Sequence, residues 1–371
     1  MRTRNGLSLL ALAGGMALTA AAGTGTARAD LLVGVAGPMT GQYASFGEQL
    51  RQGTEAAIAD INAKGGVNGQ KLVMTVGDDV CDPRQAVSVA NQFAKSGVAF
   101  VNGHFCSGST LPASEIYNEE GIPEITVSSN PKITERGFKS LFRITGRDDQ
   151  QGAVIADHIA RTMAGKKVAL VHDKSAFGKG LVDNVREALK AHKITPEFEE
   201  AITAGERDYS ALVAKLASAG VEAVAFGGYH TELGLILRQI TDAGKKIAFI
   251  SGDPSATTEL WSIAGPAAEG LLFTFPPDPR KMPGAAETAK RFRDKGIEPE
   301  GYVLYSYAAV QAFADAVAKG KASDGKTVAK TLHEQGADTI LGPVKFDAKG
   351  DNVVPGYVVY RWSNGTFDYL K

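Results

Sequence analysis

The sequence predicts an α/β fold with parallel sheets covered on both faces by helices. Three observations carry this. Short apolar runs alternate with amphipathic helical stretches along most of the 371 residues. Glycine, proline and asparagine signals separate them, as strand–helix alternation requires. A chain of this length also divides its apolar residues among more than one core. The pattern breaks at Gly146-Arg147-Asp148-Asp149 and again at Pro276-Pro277-Asp278-Pro279, which mark the seams.

The elements follow in order. An apolar run at 31–35 stops at Gly37 and Pro38, and a helical pattern over 46–63 stops at Gly65-Gly66. Asn68-Gly69 is a tight-turn signal before a strand at 71–76. Asp82-Pro83-Arg84-Gln85 reads as a helix start: Asp82 as N-cap, Pro83 in the first turn, Gln85 closing a capping box. A strand at 98–101 leads through His104 to a helix beginning near Ser109. Further strands are expected at 123–127, 141–144, 168–172, 223–227, 247–251 and 270–275. Helices over 150–163, 178–191, 209–219 and 233–243 fill most gaps. After the second seam come helices at 285–295, 304–318 and 326–333, then a strand pair, 342–346 with 357–362. No repeat of 20–50 residues is visible, so any duplication between the halves is structural only.

The first segment is read as an address. Arg2 and Arg4 precede an apolar run over 7–22, and Ala27-Arg28-Ala29 supplies an A-x-A cleavage pattern. Ser8, Gly14, Gly15 and Thr19 interrupt the run, which is too short and weak for a spanning helix. Residues 1–29 are therefore expected to be a signal peptide, leaving an exported, soluble chain that starts at Asp30.

Composition narrows the function. The 40 Lys and Arg against 41 Asp and Glu exclude a generally basic nucleic-acid binder. Two cysteines, Cys81 and Cys106, are too few for a disulfide scaffold or a Cys-built zinc site. In an oxidising compartment their even count favours one bridge. No G-x-S-x-G, H-E-x-x-H or phosphate-loop motif occurs, and no histidines are spaced as metal ligands. His172-Asp173 suggests a dyad, but adjacent residues on a strand end point apart. His104 beside Cys106 suggests a thiol nucleophile, which the bridge removes. The absences favour binding over catalysis, with no cofactor and no metal.

In open parallel sheets, ligands sit beyond the carboxyl ends of strands. The corresponding loops here are 40–47, 103–110, 126–131, 172–178, 227–232 and 251–255. They carry hydroxyls, glycines, aromatics and an acid, with few cations. That mixture suits a small molecule with both charges and an apolar portion.

Several stretches carry a family resemblance: Asp78-Asp79-Val80-Cys81-Asp82-Pro83-Arg84-Gln85-Ala86-Val87, Gly103-His104-Phe105-Cys106-Ser107-Gly108-Ser109-Thr110, Ile202-Thr203-Ala204-Gly205-Glu206, Gly227-Gly228-Tyr229-His230 and Ala268-Glu269-Gly270-Leu271-Leu272. In order, and over essentially the whole mature chain, they resemble the periplasmic leucine/isoleucine/valine-binding proteins that feed ABC importers. The resemblance implies a two-lobed periplasmic binding protein type I fold without catalytic activity. One lobe would be 30–146 with 277–355, the other 147–276 with 356–371, hinged near 145–149, 273–279 and 353–357. It implies a periplasmic monomer that binds a branched-chain amino acid and hands it to a membrane permease.

The resemblance also implies a site. Ser107 matches the serine that holds the ligand carboxylate, and a helix start there favours an anion. Ser128 and Ser129 fall where the family binds both ligand ends, in a loop about one residue shorter than the pattern. Asp253 matches the carboxylate that pairs with the ammonium, where the family pattern has Glu. Tyr229 matches a tyrosine that closes over the ligand. Phe46, Phe105, Phe177 and Tyr302 match side-chain pocket positions, with Cys106 beside them. Phe46 and Phe177 stand for tyrosines and Phe105 for a leucine, so the pocket is expected to be apolar. Other readings remain open: another amino acid, an amide, a urea-like compound or an aromatic acid on the same fold, or a periplasmic hydrolase.

Overall fold

The computed structural model describes residues 29–354 and 356–370, so the export signal expected over 1–29 falls, except for Ala29, outside the described residues. Leu31–Gly37 (β1), Leu72–Asp78 (β2), Phe100–Asn102 (β3), Glu124–Thr126 (β4) and Leu141–Arg143 (β5) form a wholly parallel sheet in the order β2-β1-β3-β4-β5. Val168–His172 (β6), Phe198–Ala201 (β7), Ala223–Gly227 (β8), Ala248–Ser251 (β9) and Leu272–Phe275 (β10) form the parallel body of a second sheet. A small hairpin, Ala337–Thr339 (β11) with Gly342–Val344 (β12), stands apart. Val358–Ser363 (β13) and Thr366–Tyr369 (β14) then add antiparallel to β10, giving the order β14-β13-β10-β9-β8-β6-β7.

Burial explains the apolar runs. Strand β1 is interior and almost continuously buried, as a strand covered on both faces must be. Its neighbour β2 lies at the sheet edge and leaves Val73 and Val76 exposed. The covering helix Pro83–Lys95 approaches so closely that a Cβ at Gly34 would lie 2.6 Å from the Phe93 ring. Helix Val303–Gly320 packs on the early helix Ala44–Ala63: a Cβ at Gly53 would lie 2.2 Å from the Val303 carbonyl. Between them, the Asn102 amide of β3 donates to Thr54 Oγ1 and Ser306 Oγ, both at 2.8 Å. Residues near 300 are thereby returned to the first sheet.

The chain passes between the sheets three times: after β5, after β10 and before β13. Buried polar bonds tie these passages together. Arg143 Nε meets Asp351 Oδ1 at 2.8 Å, and Arg147 Nη1 meets Asp351 Oδ2 at 2.9 Å. The hydroxyls of Tyr360 and Tyr305 donate to the carbonyls of Pro276 (2.8 Å) and Pro277 (3.1 Å).

Four expectations need correction. The late strands do not pair with each other: Gly342–Val344 turns back on Ala337–Thr339, and Val358–Ser363 joins β10 and β14. The second sheet is consequently mixed. Strand β7, Phe-Glu-Glu-Ala, escapes the apolar-run criterion because it is an edge with alternate residues exposed. Asp82 does cap its helix, accepting from the N–H groups of Arg84 and Gln85. The Gln85 half of the box does not form, because the Asp82 N–H goes to the Asp79 carbonyl instead. The helix expected near Ser109 starts at Ser107, so Ser107 stands in its first turn and Cys106 is the N-cap.

Candidate functional site

The donor-rich end of the site is built on the loop after β3. Cys106 is bonded to Cys81 with their Cα atoms 5.5 Å apart, which pins the loop to the turn after β2. His104 is locked beneath it, Nδ1 at 2.6 Å from Asp79 Oδ2 and Nε2 at 3.0 Å from the Tyr117 hydroxyl. Its carbonyl accepts from Thr126 Oγ1 at 2.7 Å. His104 therefore acts as a brace for the loop. The Cys106 carbonyl accepts from the N–H groups of Ser109 and Thr110. The N–H groups of Ser107 and Gly108, at the positive end of a 13-residue helix, are the ones that the helix itself does not use.

The two serines after β4 divide the work. The Ser128 hydroxyl donates to the Phe105 carbonyl at 2.8 Å and pairs with Thr110 Oγ1 at 2.7 Å, so it holds two loops together. Its carbonyl accepts from Arg143 Nη1 at 2.9 Å. The Ser129 hydroxyl instead lies beside the carboxyl of Asp148.

The acidic end comes from the second sheet. Asp253 opens a 3-10 turn directly after β9 and is buried, 4% exposed. Burial raises its pKa, and hydrogen bonds from Tyr302 and Gln151 offset part of that rise. Gln151 Nε2 reaches Asp253 Oδ1 at 3.0 Å, and the Tyr302 hydroxyl donates to Oδ2. Tyr302 caps the helix Val303–Gly320 on the first sheet, so this bond crosses between the two sheets. Asp173, after β6, is also buried; desolvation pushes its carboxyl up to about 6. The Tyr229 ring lies within electrostatic reach of Asp173, Asp253 and Asp148. Among the described residues no lysine or arginine lines this space, which therefore suits a cationic group.

Aromatic rings form the remaining wall. Phe105 stacks on Phe46 with centroids 4.2 Å apart and meets Tyr302 edge-on at 5.3 Å. Tyr229 packs against Tyr43 at 4.4 Å and Phe177 at 5.5 Å. The turns that carry Phe177 and Tyr229 touch backbone to backbone: a Cβ on Gly227 would lie 2.1 Å from the Gly178 carbonyl oxygen. Only glycine allows that approach.

Eight of the ten residues singled out from the sequence line one small cavity: Phe105, Ser107, Ser128, Ser129, Phe177, Tyr229, Asp253 and Tyr302, with Val127 and Pro254. Phe46 stands behind Phe105, and the Cys106 side chain is turned into its disulfide. Gln151, Tyr43 and Asp148 were not singled out. Gln151 and Asp148 lie three apart at the start of helix Asp148–Thr162, so they share a face toward Asp253, a spacing the sequence does display. The enclosed space is about 10 Å³, roughly what one water molecule needs.

Residues 31–366 match the family described as periplasmic binding protein. The chain is 50% identical over 352 residues to a protein of Brucella melitensis biotype 1 named Leu/Ile/Val-binding protein homolog 1, covering 94% of this chain and 95% of that one. Among solved structures, the leucine binding protein LivK of Thermotoga maritima superposes with a TM-score of 0.84 at 26% identity, covering 92% and 98% of the two chains. An ABC transporter substrate-binding protein of Desulfitobacterium hafniense in complex with Leu gives 0.76 at 26% identity, covering 92% and 100%.

Proposed function

The chain belongs to the periplasmic binding protein family, and on that premise we propose that it binds leucine, isoleucine or valine and delivers it to an ABC import permease. The observation that carries this reading is the pairing, across one cavity, of a helix start at Ser107 with the buried carboxylate of Asp253. Taking a zwitterion out of water is costly unless each end gains paired hydrogen bonds. The N–H groups near Ser107 and the Ser129 hydroxyl serve the carboxylate; Asp253 serves the ammonium. Phe105, Phe177, Tyr229 and Tyr302 surround the aliphatic side chain. The similarity to the Brucella Leu/Ile/Val-binding homolog and to the leucine complex supports the same ligand class.

The chain works as a hinged monomer in the periplasm after cleavage following Ala29. Its lobes are 30–146 with 277–355 and 147–276 with 356–371, moving about the three passages between the sheets. An amino acid needs far more than the space now enclosed, so entry requires the walls to part. Ligand then selects the closed form that the permease recognises. No reaction is performed on the ligand. Isothermal calorimetry with the three branched-chain amino acids tests this: saturable binding of at least one is expected, and none binding overturns it. A second reading, an aromatic amino acid, is favoured by the ring of Phe105 in the wall; tighter binding of phenylalanine than leucine would select it.

A further inference from the structure

Helix Asp148–Thr162 opens on an acid that the hydrogen bonds of the site leave unanswered. Asp148 is wholly buried, and neither carboxylate oxygen has a hydrogen-bond partner among the described residues. Its N–H donates to the Ser129 carbonyl at 2.9 Å, and Ser129 lines the cavity. One turn along the same helix, Gln151 holds Asp253. Asp253 lines the cavity, and Asp148 stands behind it, tied to the lining residue Ser129 and joined by one helical turn to the glutamine that holds Asp253. The buried Tyr357 hydroxyl, also without a partner among the described residues, lies within electrostatic reach of both acids.

The groups facing Asp148 come from several elements, among them Tyr229 from the loop after β8. From β5 comes Arg143, whose Nε goes to Asp351, Nη1 to the carbonyls of Ser128 and Asn130, and Nη2 to Thr134. From the 3-10 turn comes Asp253, from the loop after β4 Ser129, and from the last passage Tyr357. On its own element stand Asp149 and, just before it, Arg147, which is engaged with Asp149, Asp351 and Glu135. Among the described residues no cation pairs directly with the Asp148 carboxylate, and Arg143, engaged elsewhere, acts on it only through its field. Burial, and then Asp253, hold its pKa well above the usual carboxylate range. A bare carboxylate in such a place is strongly disfavoured, so the acid keeps its proton until a cation arrives.

We propose that Asp148 is a second acid for the ligand ammonium, acting beside Asp253, and that it releases its proton to solvent as the ammonium enters. The inference rests on the amino-acid reading above and deepens it. An ammonium presents three N–H donors, and Asp253 already accepts from Tyr302 and Gln151, so a second acceptor matches an unmet need. The balance is simple: the ligand arrives as a zwitterion, Asp148 passes from carboxylic acid to carboxylate, and one proton leaves for water. No covalent bond other than that O–H changes.

The test is leucine calorimetry near pH 6.5 in buffers of different ionisation heat, with the intact exported chain and its Asp148→Asn and Asp253→Asn variants. The wild type is expected to release close to one proton per leucine. Asp148→Asn is expected to release none and to bind about tenfold more weakly or worse, while unfolding no earlier than the wild type. Asp253→Asn is expected to weaken binding yet still release the proton. Proton exchange near zero in the wild type, or an Asp148→Asn variant that binds within twofold and still releases the proton, overturns the proposal and leaves amino-acid binding standing. If Asp148→Asn does not fold, Asp253→Asn decides: a proton still released with leucine supports the proposal, and none overturns it. A wild type that ignores leucine, isoleucine and valine overturns both readings.

Discussion

The hydroxyl of Tyr302, at the cap of a helix on the first sheet, donates to the carboxylate of Asp253, at the end of a strand in the second. This bond joins the two halves at the acid expected to receive the ligand. The Asp253 carboxylate is thus already oriented from both sides, by Tyr302 and by Gln151.

Asp253→Ala is expected to weaken leucine binding a few hundred-fold or more, since removing one partner of a buried ion pair costs on the order of 3–5 kcal/mol. Calorimetry measures it directly, and unchanged affinity would remove Asp253 from the site.

The pocket wall gives a specificity prediction. Phe105 is packed between Phe46 and Tyr302, so Phe105→Leu enlarges the space without leaving a deep void. The preference for leucine over valine should then rise by about tenfold, in line with what a methylene in an apolar pocket is worth. The ratio of the two dissociation constants reads this out; a ratio that stays put means that Phe105 does not border the side chain.

Asp351 predicts an acid limb of stability. Burial alone would push its pKa up, but Arg143 and Arg147 bring it below the usual range. A depressed carboxylate contributes fully above its unfolded value, about 4, and loses that contribution as pH falls through its lower folded value. Urea midpoints between pH 7 and pH 3 should fall steeply for the wild type. Asp351→Ala should be less stable at pH 7 by about 3–5 kcal/mol, because the buried guanidinium of Arg143 loses its ion-pair partner, and its pH slope should be shallower.

Asp173 has the opposite sign. Desolvation first, then the nearby charge of Glu232, raises its carboxyl to about 6, while hydrogen bonds from Ser175 restrain the rise. The folded state therefore holds the proton more tightly, and this group's contribution declines as pH climbs from about 4 to about 6. Ser175 uses only Oδ1, and Oδ2 has no partner among the described residues. Asp173→Asn keeps the first and neutralises the second. The variant should gain about 2–3 kcal/mol at pH 8 and much less at pH 4, measured by chemical unfolding at both.

The disulfide is the last test. It closes a loop with a sequence separation of 25, worth about 3–4 kcal/mol in the chain-entropy description. Thiol titration of the denatured, unreduced protein should find no free thiol, and reduction should lower the melting temperature clearly.

The sequence made much of this arrangement legible, and the failures have physical causes. Strands β6 and β8 fall where the apolar runs place them, because both are interior and covered on two faces. Edges are harder. Phe198–Ala201 carries two glutamates, and the turn into β14 was passed over although Asn364-Gly365, both at positive φ, is a strong hairpin signal. The rule about carboxyl ends of strands located the loops that hold nine of the ten cavity-lining residues, from Phe105 to Pro254. It could not reach Tyr302, which arrives on a helix from far along the chain. Asp148 was invisible for another reason. An acid in the first turn of a helix is ordinarily a solvated dipole partner, and only the fold reveals that this one is sealed inside.

The threefold passage of the chain between its sheets has a consequence for biogenesis. The first sheet is complete in strands by Arg143, yet its covering helix Val303–Gly320 is synthesised long afterwards, and β13 and β14 complete the second sheet later still. Neither half is thus encoded as one uninterrupted stretch. A ribosome-bound fragment cannot finish either, and stays open to the export machinery until translation is nearly done.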